Sequence, residues 1–186
     1  MTEGLRVTDL CATYDGWPLF TGVSVAVAPG QCLVIDDEND VVRTAFLECI
    51  AGARRPDSGH VDVGSVGAVW HADGLPEAVY VAETISKRTG RDPGELLDRI
   101  GLGHRADHEP WAMSAGERRR IALEIAFAED RDVLLLDEPE RGLDQAGLQW
   151  LRARIDDVLA AGRTIVLATY SDRIAESADQ SVTLSG

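Results

Sequence analysis

The chain has 186 residues, 45% of them apolar, and a formal net charge of −14. That size is enough for one well-buried domain with a small insertion and too small for two full ones. The negative balance argues against general binding of nucleic acid or anionic lipid, because both need a positive field.

No window holds eighteen uncharged apolar residues, and the start, MTEGLRVTDL, lacks the basic-then-apolar pattern of a secretory signal. A cytoplasmic location is expected, with any membrane part supplied by another chain. Cys11, Cys32 and Cys49 are odd in number and widely spaced, which fits reduced, buried thiols and not a disulfide frame or zinc site.

In chain order, residues 5–10 and 19–28 alternate as strands of an antiparallel edge, split by the turn Tyr14-Asp15-Gly16-Trp17-Pro18. Pro29-Gly30 turns the chain into a buried strand ending at Ile35. An acidic loop follows, Asp36-Asp37-Glu38-Asn39-Asp40-Val41-Val42-Arg43, then a helix expected over Thr44–Ile50. Residues 60–70 hold two short strands and His71 stands after them. Glu77–Arg88 and Pro93–Ile100 read as helices, the second opened by Asp92 as cap and Pro in the first turn. His104 and His108 lie four apart, yet the Gly-rich turn between elements makes them exposed loop residues and not metal ligands.

Ser114 and Glu117 form a capping box that opens a helix at Ala115, with Ile121, Ile125 and Ala128 on one face. The run Arg118-Arg119-Arg120 is expected to be a solvated helix face. Val133–Leu136 reads as a strand buried on both sides of a parallel sheet, and it ends in Asp137 and Glu138. Carboxylates at the C-terminal end of such a strand suit Mg²⁺ chelation and general-base work on water. Leu148–Leu159 is an amphipathic helix, Thr164–Thr169 another buried strand, Ser171-Asp172 starts a last helix, and Ser181–Leu184 a final strand. No further C-terminal domain is expected, and no repeat or low-complexity segment appears.

At residues 113–144 the sequence resembles the nucleotide-binding subunits of ABC transporters. Met113-Ser114-Ala115-Gly116-Glu117 is similar to their signature, Val133–Glu138 to their Walker B strand with its adjacent glutamate, and Gly142-Leu143-Asp144 to their D-loop. The resemblance implies an α/β fold: a P-loop NTPase core of ABC type with an antiparallel β edge subdomain and a small helical subdomain. One domain, 1–186, is expected, with about 72–112 plus the start of the signature helix as the helical part. It further implies ATP and Mg²⁺ as ligands, with Thr44 and Asp137 toward the metal and Glu138 as the catalytic base. Tyr14 holds the place of an adenine-stacking aromatic, or is a packing lid. His71 falls at the Q-loop glutamine, or is a plain loop histidine. Leu75, Pro76, Val79 and Tyr80 would meet a transmembrane permease or line the subdomain core.

The sequence departs from the family at the phosphate loop. Where GxxGxGK[ST] is expected, Asp37, Glu38, Asn39, Asp40, Val41, Val42, Arg43 and Thr44 stand, followed by Ala45. Glycines there let amides turn toward phosphate oxygens, which β-branched residues oppose, and the acids repel polyphosphate. The one lysine of the chain is Lys87, so Arg43 stands alone at the lysine position, as a planar fork and not a compact ammonium. Tyr170 replaces the switch histidine and cannot exchange protons near neutrality.

Family subunits face head to tail, so each ATP lies between one chain's Walker elements and the other's signature. The P-loop, Q-loop and switch positions serve this chain's own nucleotide, whereas Ser114, Ala115, Gly116 and Glu117, with Asp144, serve a partner's. The expected function is a subunit that donates its signature to the ATP site of a second ABC ATPase subunit with an intact P-loop, both docked on a transmembrane permease. No nucleic-acid partner is expected, and membrane association comes only through the permease. Two alternatives are an active homodimeric ATPase with an unconventional loop and a non-catalytic scaffold.

Overall fold

A computed structural model describes residues 4–184; Met1–Glu3 and Ser185–Gly186, the ends of the expected domain, lie outside the described residues. Strands β1 (Leu5–Tyr14) and β2 (Trp17–Val27) form a hairpin, and β4 (Ser58–Val63) joins β1 on its other side to give a three-stranded antiparallel sheet. Its hairpin turns at Asp15 and Gly16, both at positive φ, where the expected turn lies. The second sheet is parallel, with β3 (Cys32–Ile35), β5 (Val66–Val69), β6 (Val133–Asp137), β7 (Thr164–Ala168) and β8 (Gln180–Val182) in the order β5-β6-β7-β3-β8. A parallel core with a separate antiparallel edge is the arrangement that the sequence implied.

The parallel strands are apolar because both faces are covered. Leu134 and Leu136 of β6 pack on one side with helix α4 (Ala115–Ala128), helix α5 (Gln145–Ala160) and the helical insertion. Val133 and Leu135, alternating with them, pack on the other side with Phe46 and Leu47 of α1 (Asp40–Ile50). Phe20 meets Phe46 edge-on at 5.5 Å and ties the antiparallel sheet to this second core. Each such leucine contributes roughly 1.5–3 kcal/mol by burial. The insertion contains α2 (Val81–Thr89), α3 (Pro93–Arg99) and short 3₁₀ turns at Gly103–Arg105 and Pro110–Ala112. A short α6 (Asp172–Ala175) precedes β8.

Several elements differ from the sequence reading. Helix α1 begins at Asp40 and not Thr44, because Asn39 caps it by accepting the Val41 N–H at 3.0 Å. Helix α2 begins at Val81 and not Glu77, and Glu77, like Asp73 before it, lies in the preceding loop and pairs with Arg118. The arginine run is not a solvated face. Arg118 pairs with Asp73 and Glu77 at 2.8 and 2.6 Å, and those hydrogen bonds hold its guanidinium charged well above the usual range. Arg119 is 3% exposed and donates to main-chain carbonyls, and Arg120 donates to the Ile100 carbonyl at 3.3 Å. Helix periodicity alone does not reveal these acceptors, which come from other elements.

Cys32 and Cys49 are buried and Cys11 partly so, all as free thiols. Burial pushes the Cys32 thiol up to about 12 and the Cys49 thiol to about 11, which keeps both protonated and unreactive. His104 and His108 are exposed, and no group of three metal-ligating side chains forms among the described residues.

Candidate functional site

The adjacency β6-β7-β3 brings the loops after three parallel strands to one edge, the crevice where open α/β sheets bind ligands. Asp137, at the end of β6, accepts a hydrogen bond from the Thr44 hydroxyl at 3.0 Å. Burial raises its pKa, opposed by the Thr44 hydroxyl, with the neighbouring Glu138 charge adding to the rise. Glu138 takes a left-handed backbone, φ 47°, and its N–H donates to the Ala168 carbonyl at 2.8 Å. Arg119 reaches in from α4 to hold this corner, donating to the carbonyls of Trp70 (2.6 Å), Glu138 (2.5 Å) and Asp137. His71 Nδ1 lies 3.3 Å from Glu138 Oε2, and Arg141 contacts both residues.

The loop after β3 is organised around Asn39. Its side chain takes the Val41 N–H, its carbonyl takes the N–H groups of Val42 and Arg43 at 3.1 Å each, and its own N–H goes to Asp37 Oδ1 at 2.8 Å. With the helix started at Asp40, Val42 and Ala45 fall on its core side and are buried there with Phe46. Their side chains therefore pack inward and leave only main-chain groups toward the cleft. Arg43 is 3% exposed. Its guanidinium donates to the Asp37 carbonyl at 3.1 Å, pairs with Asp40, and stacks 3.9 Å from the centre of the Tyr170 ring. The Tyr170 hydroxyl closes the set by donating to Asp40, and this bond raises the phenol pKa further. Glu140 fixes the approach to Tyr170 by accepting from the Thr169 hydroxyl at 2.7 Å and the Tyr170 N–H at 2.8 Å. Tyr14 stands 59% exposed at the hairpin tip, opposite Trp17.

The signature residues form a separate cleft that shares no lining residue with the Arg43–Tyr170 pocket. It has a volume of about 380 Å³ and is bounded by Ser114, Gly116, Glu117, Arg120, Leu143 and Asp144. Ser114 caps α4 and Asp144 caps α5, accepting the Gly147 N–H at 2.8 Å. A Cβ on Gly116 would lie 2.5 Å from the Gly142 carbonyl oxygen, so glycine is required where the two loops touch. Gly116→Ala is expected to lower stability by about 1–3 kcal/mol through overpacking, measured by denaturant unfolding. Arg119, Glu140 and Arg105 were not among the residues expected to act here. Nothing local in the sequence marks them, because their partners lie in other elements.

The family profile described as ABC transporter matches residues 20–141, spanning the loop after β3, the signature helix and Asp137–Glu138. The chain belongs to the ABC transporter family. The cytochrome c biogenesis ATP-binding export protein CcmA of Roseobacter denitrificans is 32% identical over 174 residues, covering 90% of this chain and 84% of that protein. The CcmA of Ruegeria pomeroyi is 29% identical over 174 residues, with 90% and 85% covered. Among solved structures, the ATP-binding subunit of an ABC transporter aligns with a TM-score of 0.86 at 19% identity, covering 97% of this chain and 85% of that one. A dimeric ATP-binding cassette in a post-hydrolysis state bound to ADP and phosphate aligns at 0.85 and 17% identity, with 97% and 94% covered. These structures establish the shared ABC fold. As an ABC-type ATP-binding domain, the chain has no helix among its described residues that is long and apolar enough to cross a membrane.

Proposed function

We propose that this chain is the signature-donating half of an ATP-driven transporter, paired with a second ABC ATPase chain whose phosphate loop is intact. Its own cradle holds little or no triphosphate. The observation that carries this reading is the use of the Val41, Val42 and Arg43 N–H groups by Asn39. A phosphate oxygen would have to dismantle the first turn of α1 to reach them. The positive charge at position 43 is likewise neutralised by Asp40 and covered by Tyr170. Thr44 and Asp137 present oxygens that suit Mg²⁺, yet the phosphate side of the cradle does not fit, so no hydrolytic step is assigned to this chain's own site. Ser114, Ala115, Gly116 and Asp144 line a separate cleft, which supports the reading that they serve a partner's nucleotide.

In this reading the pair docks on a transmembrane permease, and the chain is cytoplasmic, meeting the membrane only through that permease. The export protein of Roseobacter denitrificans supplies the precedent for a transporter role. A second reading, a homodimeric ATPase with Glu138 as base, is favoured by the Thr44–Asp137 contact. Titration of the isolated chain with Mg-ATP separates the two: micromolar binding with turnover supports the homodimer and overturns signature donation. In the complex, Ser114→Ala is expected to lower ATP turnover about 100-fold, the usual loss on removing a donor aimed at transition-state charge.

A further inference from the structure

The signature cleft contains a carboxylate, Glu117, close to where the phosphate end of a partner's nucleotide would arrive under the reading above. Left alone, it would repel that group. Its two oxygens are separately occupied. Oε2 accepts from the Ser114 N–H and hydroxyl, both at 2.9 Å. Oε1 accepts from Arg105 through both Nε and Nη2 at 2.8 Å. Arg105 comes from the 3₁₀ turn Gly103–Arg105 of the helical insertion, outside the signature itself. Together these bonds outweigh the effect of burial and hold the Glu117 carboxyl below its usual range, so it is ionised at neutral pH.

A hydroxyl donating to a free carboxylate is poorly placed to serve a phosphate, whereas one beside a neutralised ion pair can turn to it at little electrostatic cost. We propose that Arg105 is a positioning residue for the signature half-site, cancelling the Glu117 charge so that Ser114 can receive the phosphate end of a nucleotide held by the partner chain. This rests on the signature-donating reading. The Arg105–Glu117 pair also joins the helical insertion to the first turn of α4, so the charge balance of the cleft depends on how the insertion sits.

The test uses the complex of this chain with its intact partner and reads ATP turnover and KM for Mg-ATP. Arg105→Gln is expected to reduce turnover about tenfold or more and to raise KM, with Arg105→Lys intermediate. Arg105→Gln combined with Glu117→Gln is expected to recover to within about twofold, because no net charge remains in the cleft. A purely structural contact would lower the melting temperature and leave the KM for Mg-ATP of the folded complex unchanged, because replacing both partners of a structural ion pair also restores stability. Circular dichroism melts of each variant therefore accompany the kinetics and confirm that the chain is folded. If Ser114→Ala abolishes turnover while Arg105→Gln leaves it intact, or Glu117→Gln fails to rescue, the role of Arg105 falls and signature donation stands. If Ser114→Ala leaves turnover unchanged, both are overturned.

Discussion

The combined change Asp37→Gly, Asp40→Gly, Val42→Gly and Arg43→Lys is expected to raise the affinity of the isolated chain for Mg-ATP by about 100-fold or more, read by calorimetric titration. Two negative charges leave the loop. Each repels a phosphate about 4 Å away by roughly 1 kcal/mol in bulk water and about 4 at an effective dielectric of 20. Asp40 also ties Arg43 and Tyr170 together, so its loss opens the clasp that fills the lysine position. Glycine at 40 and 42 weakens the first turn of α1 and lets its amides turn outward, while a lysine at 43 supplies a compact ammonium. Unchanged affinity, in a variant whose melting curve shows it folded, would place the obstacle outside the loop and remove the main support for a silent cradle.

Arg119→Ala is expected to destabilise the chain by about 3–5 kcal/mol, whereas Arg118→Ala, at the adjacent position, should cost about 1 kcal/mol or less per ion pair lost. The contrast follows from where the acceptors lie. Arg118 is one-fifth exposed and meets a mostly exposed Glu77, so water replaces much of what is removed. Arg119 is buried, and its removal orphans the carbonyls of Trp70, Asp137 and Glu138 at the one corner where Glu138 already holds a left-handed backbone. Burial alone pushes the Arg119 pKa down, against the pull of Asp137 and its neighbours, so charge and carbonyls are held in mutual balance. Denaturant unfolding of both variants checks the difference. Equal losses would mean that Arg119 does not support the end of β6.

The arginine run also marks the limit of what could be read without coordinates. Helix α4 was legible because Ser114, Glu117 and the apolar spacing act within a few residues of one another, and its cap bonds form as the capping box requires. Strand β6 was legible for the same reason: an unbroken apolar run has to be covered on both sides. Helix α1 starts four positions before the place its apolar pattern marks, because Asn39 caps it from within the acidic loop.

By itself, then, the sequence determined the parallel core, the helical insertion and the family, and marked the acidic, glycine-free loop after β3, all carried by local pattern and residue type. Only the tertiary structure decided what the charged side chains of these segments meet. It placed Tyr170 against Asp40, 130 residues away, buried Arg43 beneath that ring, sent Arg119 to the end of β6 and set Arg105 on Glu117. The physical reason is that periodicity and capping report the energy of neighbours along the chain, while the partner of a buried charge is chosen by which strands and loops the sheet order brings to the same edge.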